Sequence, residues 1–382
     1  MKKRIKIILK KLIKIIAVFV PKRNDIIFES IPDLSDNTYS VFSEMIARNL
    51  NEKYRFVWLV SDKEKNFPAY PNTIYLDMSS FKDKIKFVWY AMRAKCLISC
   101  NRFLSSYSKK TKSFFLTHGS GIKSTRSYYI VPDDIDYVII ASEGTKQVMS
   151  YELNYDIERC IPLGFPRNDI LLTANLNLND VFEGEFSKII VWYPTFKQHK
   201  NGSKLTNSSH AFPIIHEKEL AEQLNEWAKL YNILIVIKPH FAQDVRFIVN
   251  SNLSNIKIID DHFFIEKGIT SYEFVGSCDS LITDYSSIYY DYLLCDKPIA
   301  LVWEDFEEYK QKPGFAIDPD VYLAPTHKIY TIEDFEPYLY KIANDIDEYK
   351  SGRAEINKWA NYSGKPDNSK RVVDFIVEKA ML

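Results

Sequence analysis

Glycine is scarce in this chain: 11 among 382 residues, about 3% against a usual value of about 7%. None occurs before Gly119. Backbone cradles for phosphate need several glycines at close quarters, and neither G-x-G-x-x-G nor G-x-x-x-x-G-K-[ST] is present. A phosphate ligand must therefore be held by other means. The five cysteines form no C-x-x-C pair and no zinc-like spacing with histidine. Cys96 and Cys100, flanking an apolar run, read as small buried thiols. An odd cysteine count without a secretory signal fits a reducing cytosol. Net charge is also absent, with 50 Lys+Arg against 50 Asp+Glu, which argues against a nucleic-acid partner. What is present, 46% hydrophobic and 14% aromatic residues, excludes a disordered chain. The length suits two domains, each with its own core.

The zero net charge is a sum of unlike parts. Residues 1–24 hold nine basic side chains and no acidic one, which leaves 41 basic against 50 acidic, a balance of −9, for the remainder. Lys2, Lys3, Arg4, Lys6, Lys10, Lys11 and Lys14 lie among Ile5, Ile8, Leu9, Leu12, Ile15, Ile16 and Phe19, which recur at steps of three and four and so share one helical face. The longest apolar run, Ile15 to Val20, has six residues, too few to span a bilayer, and no small-residue cleavage site follows. A basic amphipathic helix lying on an anionic membrane surface is the reading adopted. The bland alternative is a first helix that packs its apolar face on the body.

Beyond Pro21, short β-branched runs alternate with amphipathic stretches. Strands are expected at Asp25–Glu29, Tyr54–Val60, Cys96–Ser99, Ser113–Thr117 and Tyr137–Ala141, with helices over Tyr39–Asn49, Phe81–Ala94 and Glu143–Glu152. A polar stretch, Thr173 to Glu185, marks a boundary. A second series follows, with strands at Lys188–Tyr193, Ile233–Ile237, Ile256–Ile259, Ser280–Thr283 and Ile299–Trp303. Helices are expected over 216–230, 271–276 and 286–294 and from about 331 onward, and residues 197–210 read as a loop. Such alternation predicts α/β architecture, two doubly wound Rossmann-like domains facing a cleft. The expected division is a membrane-association segment 1–24, an N-terminal domain 25–180 and a C-terminal domain 186–345. Closing helices at 346–382 are expected to pack back on the first domain.

Four polar clusters stand directly after expected strands, where ligands of open parallel sheets bind. They are Thr117 to Lys123, Tyr193 to Lys197, Lys238-Pro239-His240, and Thr283 to Ser287. His118 and His240 offer an imidazole that takes or gives a proton near neutrality. Gly119 and Gly121 free the backbone around Ser120 to turn or to aim amides at an anion. Lys123, Lys197 and Lys238 supply positive charge for a diphosphate. Ser286 and Ser287, after Asp284, open a helix whose first amides have no intrahelical partner. Bland readings stand beside these: a histidine that serves only its own loop, serines or Asp284 that only cap a helix, lysines that are only solvated.

At these residues the sequence resembles the CDP-glycerol glycerophosphotransferase family of teichoic acid and capsule synthesis. The landmarks run in order: Ser35-Asp36-Asn37, His118-Gly119 with Lys123, Leu163-Gly164-Phe165-Pro166-Arg167-Asn168-Asp169, Pro194-Thr195-Phe196, Lys238-Pro239-His240, and Leu281 to Ile288 with Asp291-Tyr292 and Lys297-Pro298. The resemblance implies a GT-B fold, His118 and His240 as essential histidines, and Ser286 and Ser287 as phosphate-binding serines. It implies a CDP-polyol donor, expected on the C-terminal side; the strand-end residues Lys238, Asp284, Thr195 and Lys197, with Gly119 and Lys123, are the further candidates for donor or phosphate binding. It also implies a polyprenyl-diphosphate-linked acceptor and a peripheral enzyme on the cytoplasmic face of the bacterial plasma membrane. Where the family often has Arg, Lys197 offers a point charge instead of a fork. No cofactor is required by the sequence, no metal site is expected, and no Asp or Glu cluster demands Mg2+. The rival readings are a GT-B glycosyltransferase using a nucleotide sugar and a non-catalytic nucleotide-binding membrane scaffold. The first is disfavoured because no E-x7-E occurs between 200 and 382.

Overall fold

The computed structural model describes residues 12–61, 67–126, 129–195, 212–239 and 253–382. His240, Lys197, the expected loop 197–210 and the arm residues Lys2, Lys3, Arg4, Lys6, Lys10 and Lys11 lie outside the described residues. The chain forms two units. The first contains residues up to Ser120, Arg126–Asp169 and Lys365–Leu382, and the second contains Gly121–Thr125 and Ile170–Gly364.

The first unit is built on seven parallel strands: β1 (Asp25–Glu29), β2 (Arg55–Val60), β3 (Thr73–Asp77), β4 (Cys96–Ser99), β5 (Lys112–Leu116), β6 (Tyr137–Ile140) and β7 (Cys160–Pro162). Their order is β3-β2-β1-β4-β5-β6-β7. The inner strand β1 (DIIFE) is buried along its whole length, including Asp25 and Glu29. An unbroken apolar run without inside-outside alternation is what a parallel strand covered on both faces requires. One face packs against helix Asp36–Ala47, and the C-terminal helix Asn368–Ala380 adds Val372, Val373 and Ile376 to that same core.

The second unit has six parallel strands: β8 (Lys188–Trp192), β9 (Ile233–Ile237), β10 (Ile256–Ile258), β11 (Ser280–Thr283), β12 (Ile299–Val302) and β13 (His327–Ile329). Their order is β10-β9-β8-β11-β12-β13. β9 (ILIVI) is wholly buried. Helix Lys218–Leu230 and helix Phe335–Ala343 supply Leu224, Ala228, Leu339 and Ile342 to one face. Phe274, Tyr289 and Tyr292 fill the other.

Three strands lie outside the expected set: β3, β7 and β13. All are sheet edges, two are three residues long, and β7 ends in proline. Edge strands pair on one side only, so they need neither the length nor the apolar run that marks an inner strand. The helical chain expected from about 331 onward consists of helices Phe335–Ala343, Lys350–Ala360 and Asn368–Ala380. Asp345 between the first two has a left-handed backbone, φ 54.

The glycine shortage has a structural counterpart. In the glycine-free stretch, left-handed positions fall on Leu34, Asp36, Asn49 and Asn72. Asn and Asp tolerate that region better than most side chains. Among the described residues no helix is long and apolar enough to cross a membrane.

Candidate functional site

In both sheets the strand order reverses beside the first strand of the unit. β1 lies between β2 and β4, and β8 lies between β9 and β11. The loops leaving these carboxyl ends diverge to opposite faces and leave a crevice, the usual place for a ligand in this architecture.

His118 follows β5, two strands from β1, and is exposed. Its Nδ1 lies 3.0 Å from the carbonyl of Cys100. A carbonyl oxygen only accepts, so Nδ1 carries the hydrogen, and in the neutral ring Nε2 keeps its lone pair. The contact therefore selects the tautomer in which Nε2 is a base. The carbonyl of His118 is held too, accepting from Nη2 of Arg167 at 2.8 Å. Nη1 of Arg167 reaches Asp36 at 2.7 Å, and the Arg167 amide donates to Oδ1 of Asn37 at 3.1 Å. Asn37, fully buried, donates from Nδ2 to the carbonyl of Thr117 at 2.8 Å. Helix Asp36–Ala47, the end of β5 and the loop 163–169 are thus pinned at one point. Asp36 does this from a left-handed conformation, φ 58, a strain that a site can hold only where its surroundings over-determine it.

The turn beneath His118 is fixed from β1. Oε2 of Glu29 accepts from the amides of Asn101 and Arg102 at 3.2 and 3.0 Å, which sets the Cys100 carbonyl in place. Burial pushes the Glu29 carboxyl up, while the two amides and Arg102 oppose that shift. Loop 163–169 is anchored in turn by the C-terminal helix. Asp169 accepts from the amides of Asn368 and Ser369 at 2.9 and 2.7 Å, neutralising the helix's first donors. Gly164 sits at φ 85, where a Cβ would overlap the Asn368 side chain.

In the second unit Asp284 directly follows β11. Its Oδ2 accepts from the amide of Thr195 at 2.7 Å, and its Oδ1 from the amide of Tyr285 at 2.6 Å and from the Thr195 hydroxyl. Thr283 Oγ1 donates to the carbonyl of Tyr193 at 2.7 Å. The loops after β8 and β11 are therefore locked together by a buried carboxylate. Ser286 and Ser287 follow, half-buried, and helix Ile288–Tyr292 opens after Ser287, whose side chain makes no capping bond. Tyr285 donates to Asp305 at 3.0 Å and stacks on Tyr309 at 3.7 Å. Burial, reinforced by Asp305, pushes its phenol up, so it stays a donor. Lys238, after β9, lies 3.0 Å from Asp261 and 5.6 Å from the Tyr193 ring centroid.

Thr195, Asp284, Ser286, Ser287 and Lys238 thus stand at three adjacent strand ends of one sheet, with His118 and Gly119 at a strand end of the other. Lys123 is exposed and pairs with Phe315 as an isolated antiparallel bridge within the second unit. Asp36, Asn37 and Arg167 stand in the sequence only as landmarks of the resemblance, with no site role, and Glu29 only as the end of an expected strand. Asp36 and Arg167 stand 131 positions apart, a pairing that no local pattern reveals. Glu29 did leave a trace, as a carboxylate closing the apolar run DIIFE.

The chain matches the model of the CDP-glycerol:poly(glycerophosphate) glycerophosphotransferase family over residues 12–378. It is 23% identical over 313 residues to the teichoic acid glycerol-phosphate primase of Bacillus subtilis, covering 76% of each chain. It is likewise 23% identical over 394 residues to the teichoic acid poly(glycerol phosphate) polymerase of Bacillus spizizenii, covering 94% of each. The solved structure of the wall teichoic acid polymerase TagF superposes with a TM-score of 0.72 over 99% of this chain and 96% of that chain, at 19% identity, a likeness of fold. With nearly its whole length under one family model, this chain belongs to the CDP-glycerol:poly(glycerophosphate) glycerophosphotransferase family and is a phosphotransferase of the teichoic acid type.

Proposed function

We propose that the protein transfers a polyol phosphate, glycerol phosphate in the first instance, from a CDP-activated donor to a hydroxyl of a lipid-linked acceptor and releases CMP. The observation that carries this reading is the His118 tautomer. A base with its lone pair on an exposed Nε2, fixed by a carbonyl behind it, suits removal of a hydroxyl proton. In the proposed step the acceptor oxygen attacks the β-phosphorus, and its proton passes to Nε2 of His118. The bond from that phosphorus to the bridging oxygen breaks, and CMP leaves with the electron pair.

Lys238, Ser286 and Ser287 hold the donor diphosphate in this reading; Thr195, whose amide and hydroxyl both donate to Asp284, lines the same anion site, and Asp284 acts as a positioning residue. His240 is the second candidate histidine, assigned to leaving-group charge. Lys197, Gly119 and Lys123 complete the anion-binding set. The membrane reading draws on residues 12–19, a helical segment that exposes Leu12, Ile15, Ile16, Val18 and Phe19 while burying Ala17. It places the enzyme peripherally on the cytoplasmic face of the membrane.

A donor screen tests the reaction. With a polyprenyl-linked acceptor, CDP-glycerol should yield CMP and a phosphodiester, CDP-ribitol less, and UDP-sugars nothing. Release of UDP with glycosidic product would sink the phosphotransfer and favour a glycosyltransferase.

A further inference from the structure

Away from the carboxyl ends of the strands, the first unit contains a groove of about 710 Å³ between residues 14–22 and the loop Ser106–Thr111 that leads into β5. Four lysines line it, Lys14, Lys22, Lys109 and Lys110, together with Asp134 and Asp136. The two carboxylates are already matched. Asp134 takes Lys14 at 3.4 Å, and Asp136 takes Lys112 at 3.4 Å and the Ser113 amide at 2.9 Å. Among the described residues, Lys22, Lys109 and Lys110 have no carboxylate partner within 4.0 Å.

Lys22 is held for a purpose other than ion pairing. Its ammonium donates to the carbonyl of Met92 at 2.8 Å and to Thr111 Oγ1 at 2.5 Å, which leaves one of its three donors. Burial, with the charge of Lys110 nearby, pulls Lys22 down to about 8. Like charges gathered without a counter-charge are relieved by an anion. Beside this cluster the helical segment turns Ile15, Ile16, Val18 and Phe19 outward, Phe19 at 82% exposure. A free anion needs no apolar border, whereas a lipid phosphate carries acyl chains that do.

We propose that this groove seats the phosphate of an anionic membrane phospholipid, with Lys22, Lys109 and Lys110 receiving the headgroup and the outward apolar residues of 12–19 entering the acyl boundary. The inference rests on the peripheral-membrane reading above and adds a defined headgroup site to it. It also fixes which end of the first unit meets the bilayer, the end at the amino terminus of β5 that carries residues 106–111.

The test is co-sedimentation of the full chain with phosphatidylcholine vesicles, with and without phosphatidylglycerol. Wild type should sediment only when phosphatidylglycerol is present. Lys109→Gln/Lys110→Gln should weaken partitioning roughly 25-fold, and adding Lys22→Gln roughly 100-fold, at about fivefold per lysine. The double variant leaves the hydrogen bonds of Lys22 intact, so the test survives if the triple variant fails to fold. Lys218→Gln/Lys229→Gln/Lys358→Gln, an equal charge change on exposed sites of the second unit, should sediment as wild type does. Equal weakening by both sets, or none by the groove set, overturns the proposal.

Two further arms separate the failures. If Ile16→Asp/Phe19→Asp abolishes sedimentation while the groove variants bind fully, the groove proposal falls and the membrane reading stands. If wild type stays in the supernatant even with phosphatidylglycerol vesicles, both fall. Thermal stabilisation of wild type by inorganic phosphate that Lys109→Gln/Lys110→Gln removes, with vesicle binding unchanged, would make the groove a free-anion site and overturn the lipid assignment.

Discussion

The two units share one winding plan and use it differently. Numbered within each sheet, both run 3-2-1-4-5-6, with a seventh strand added in the first. Both place polar residues at the carboxyl ends flanking the reversal. In the first unit the carboxylates face inward to brace a histidine: Glu29 sets the Cys100 turn, Asp36 holds Arg167 against the His118 carbonyl, and the neighbouring Asn37 holds the carbonyl of Thr117. In the second unit a single buried carboxylate, Asp284, ties two loops together so that hydroxyls and an ammonium stand beside each other. In the proposed function the first site orients a proton acceptor and the second presents donors to an anion. On the proposed function the same scaffold would serve proton transfer in one copy and phosphate binding in the other, and the difference lies in which groups its carboxylates accept from.

That division can be broken by substitution. The largest effect is expected from His118→Ala, which should lower turnover by roughly 100-fold or more, followed as CMP release, with little change in donor affinity. Arg167→Met comes next. It removes one partner of a buried pair and frees the His118 carbonyl, so unfolding free energy should fall by about 3–5 kcal/mol and turnover by roughly tenfold. Adding Asp36→Asn should recover part of the stability by removing the stranded charge, while turnover stays low. Recovery of both would reduce Arg167 to a structural strut.

Asp284→Asn should act on the other parameter. The amide turns one acceptor into a donor facing the Thr195 or Tyr285 amide, and a lost hydrogen bond to a charged group, about 1.5–3 kcal/mol, should raise donor KM by roughly tenfold or more. The smallest effect is expected from Glu29→Gln, whose amide oxygen can accept from the same two backbone amides. Burial raises the Glu29 carboxyl, so the native state holds its proton more tightly than the unfolded chain does. Wild type therefore loses stability as pH rises past the unfolded value. Urea unfolding at pH 4 and pH 7 should show the variant gaining on wild type at the higher pH.

The inner strands were legible because burial on both faces demands apolar runs such as ILIVI and YRFVWLV, which few other structures require. The edges β3, β7 and β13 were not, since one-sided pairing imposes no such run. The site divided along the same line. His118, Thr195 and Ser286 stand next to strand ends and were found by position. Arg167 and Asp36 come together only when the sheet closes, across 131 residues, and their roles follow from three-dimensional contacts alone. Glycine scarcity points away from backbone cradles, and at the strand ends the second sheet offers a carboxylate-braced pair of loops carrying Thr195, Ser286 and Ser287.

The most direct test compares His118→Ala with Asp284→Asn, measuring the CDP-glycerol dissociation constant and the single-turnover rate of CMP release for each. A crossed pattern is predicted: near wild-type donor affinity with a rate at least about 100-fold lower for His118→Ala, and weakened donor affinity with a smaller loss of rate at saturation for Asp284→Asn. If both substitutions change the same parameter, or if His118→Ala releases CMP at the wild-type rate, the division of roles between the two units is contradicted.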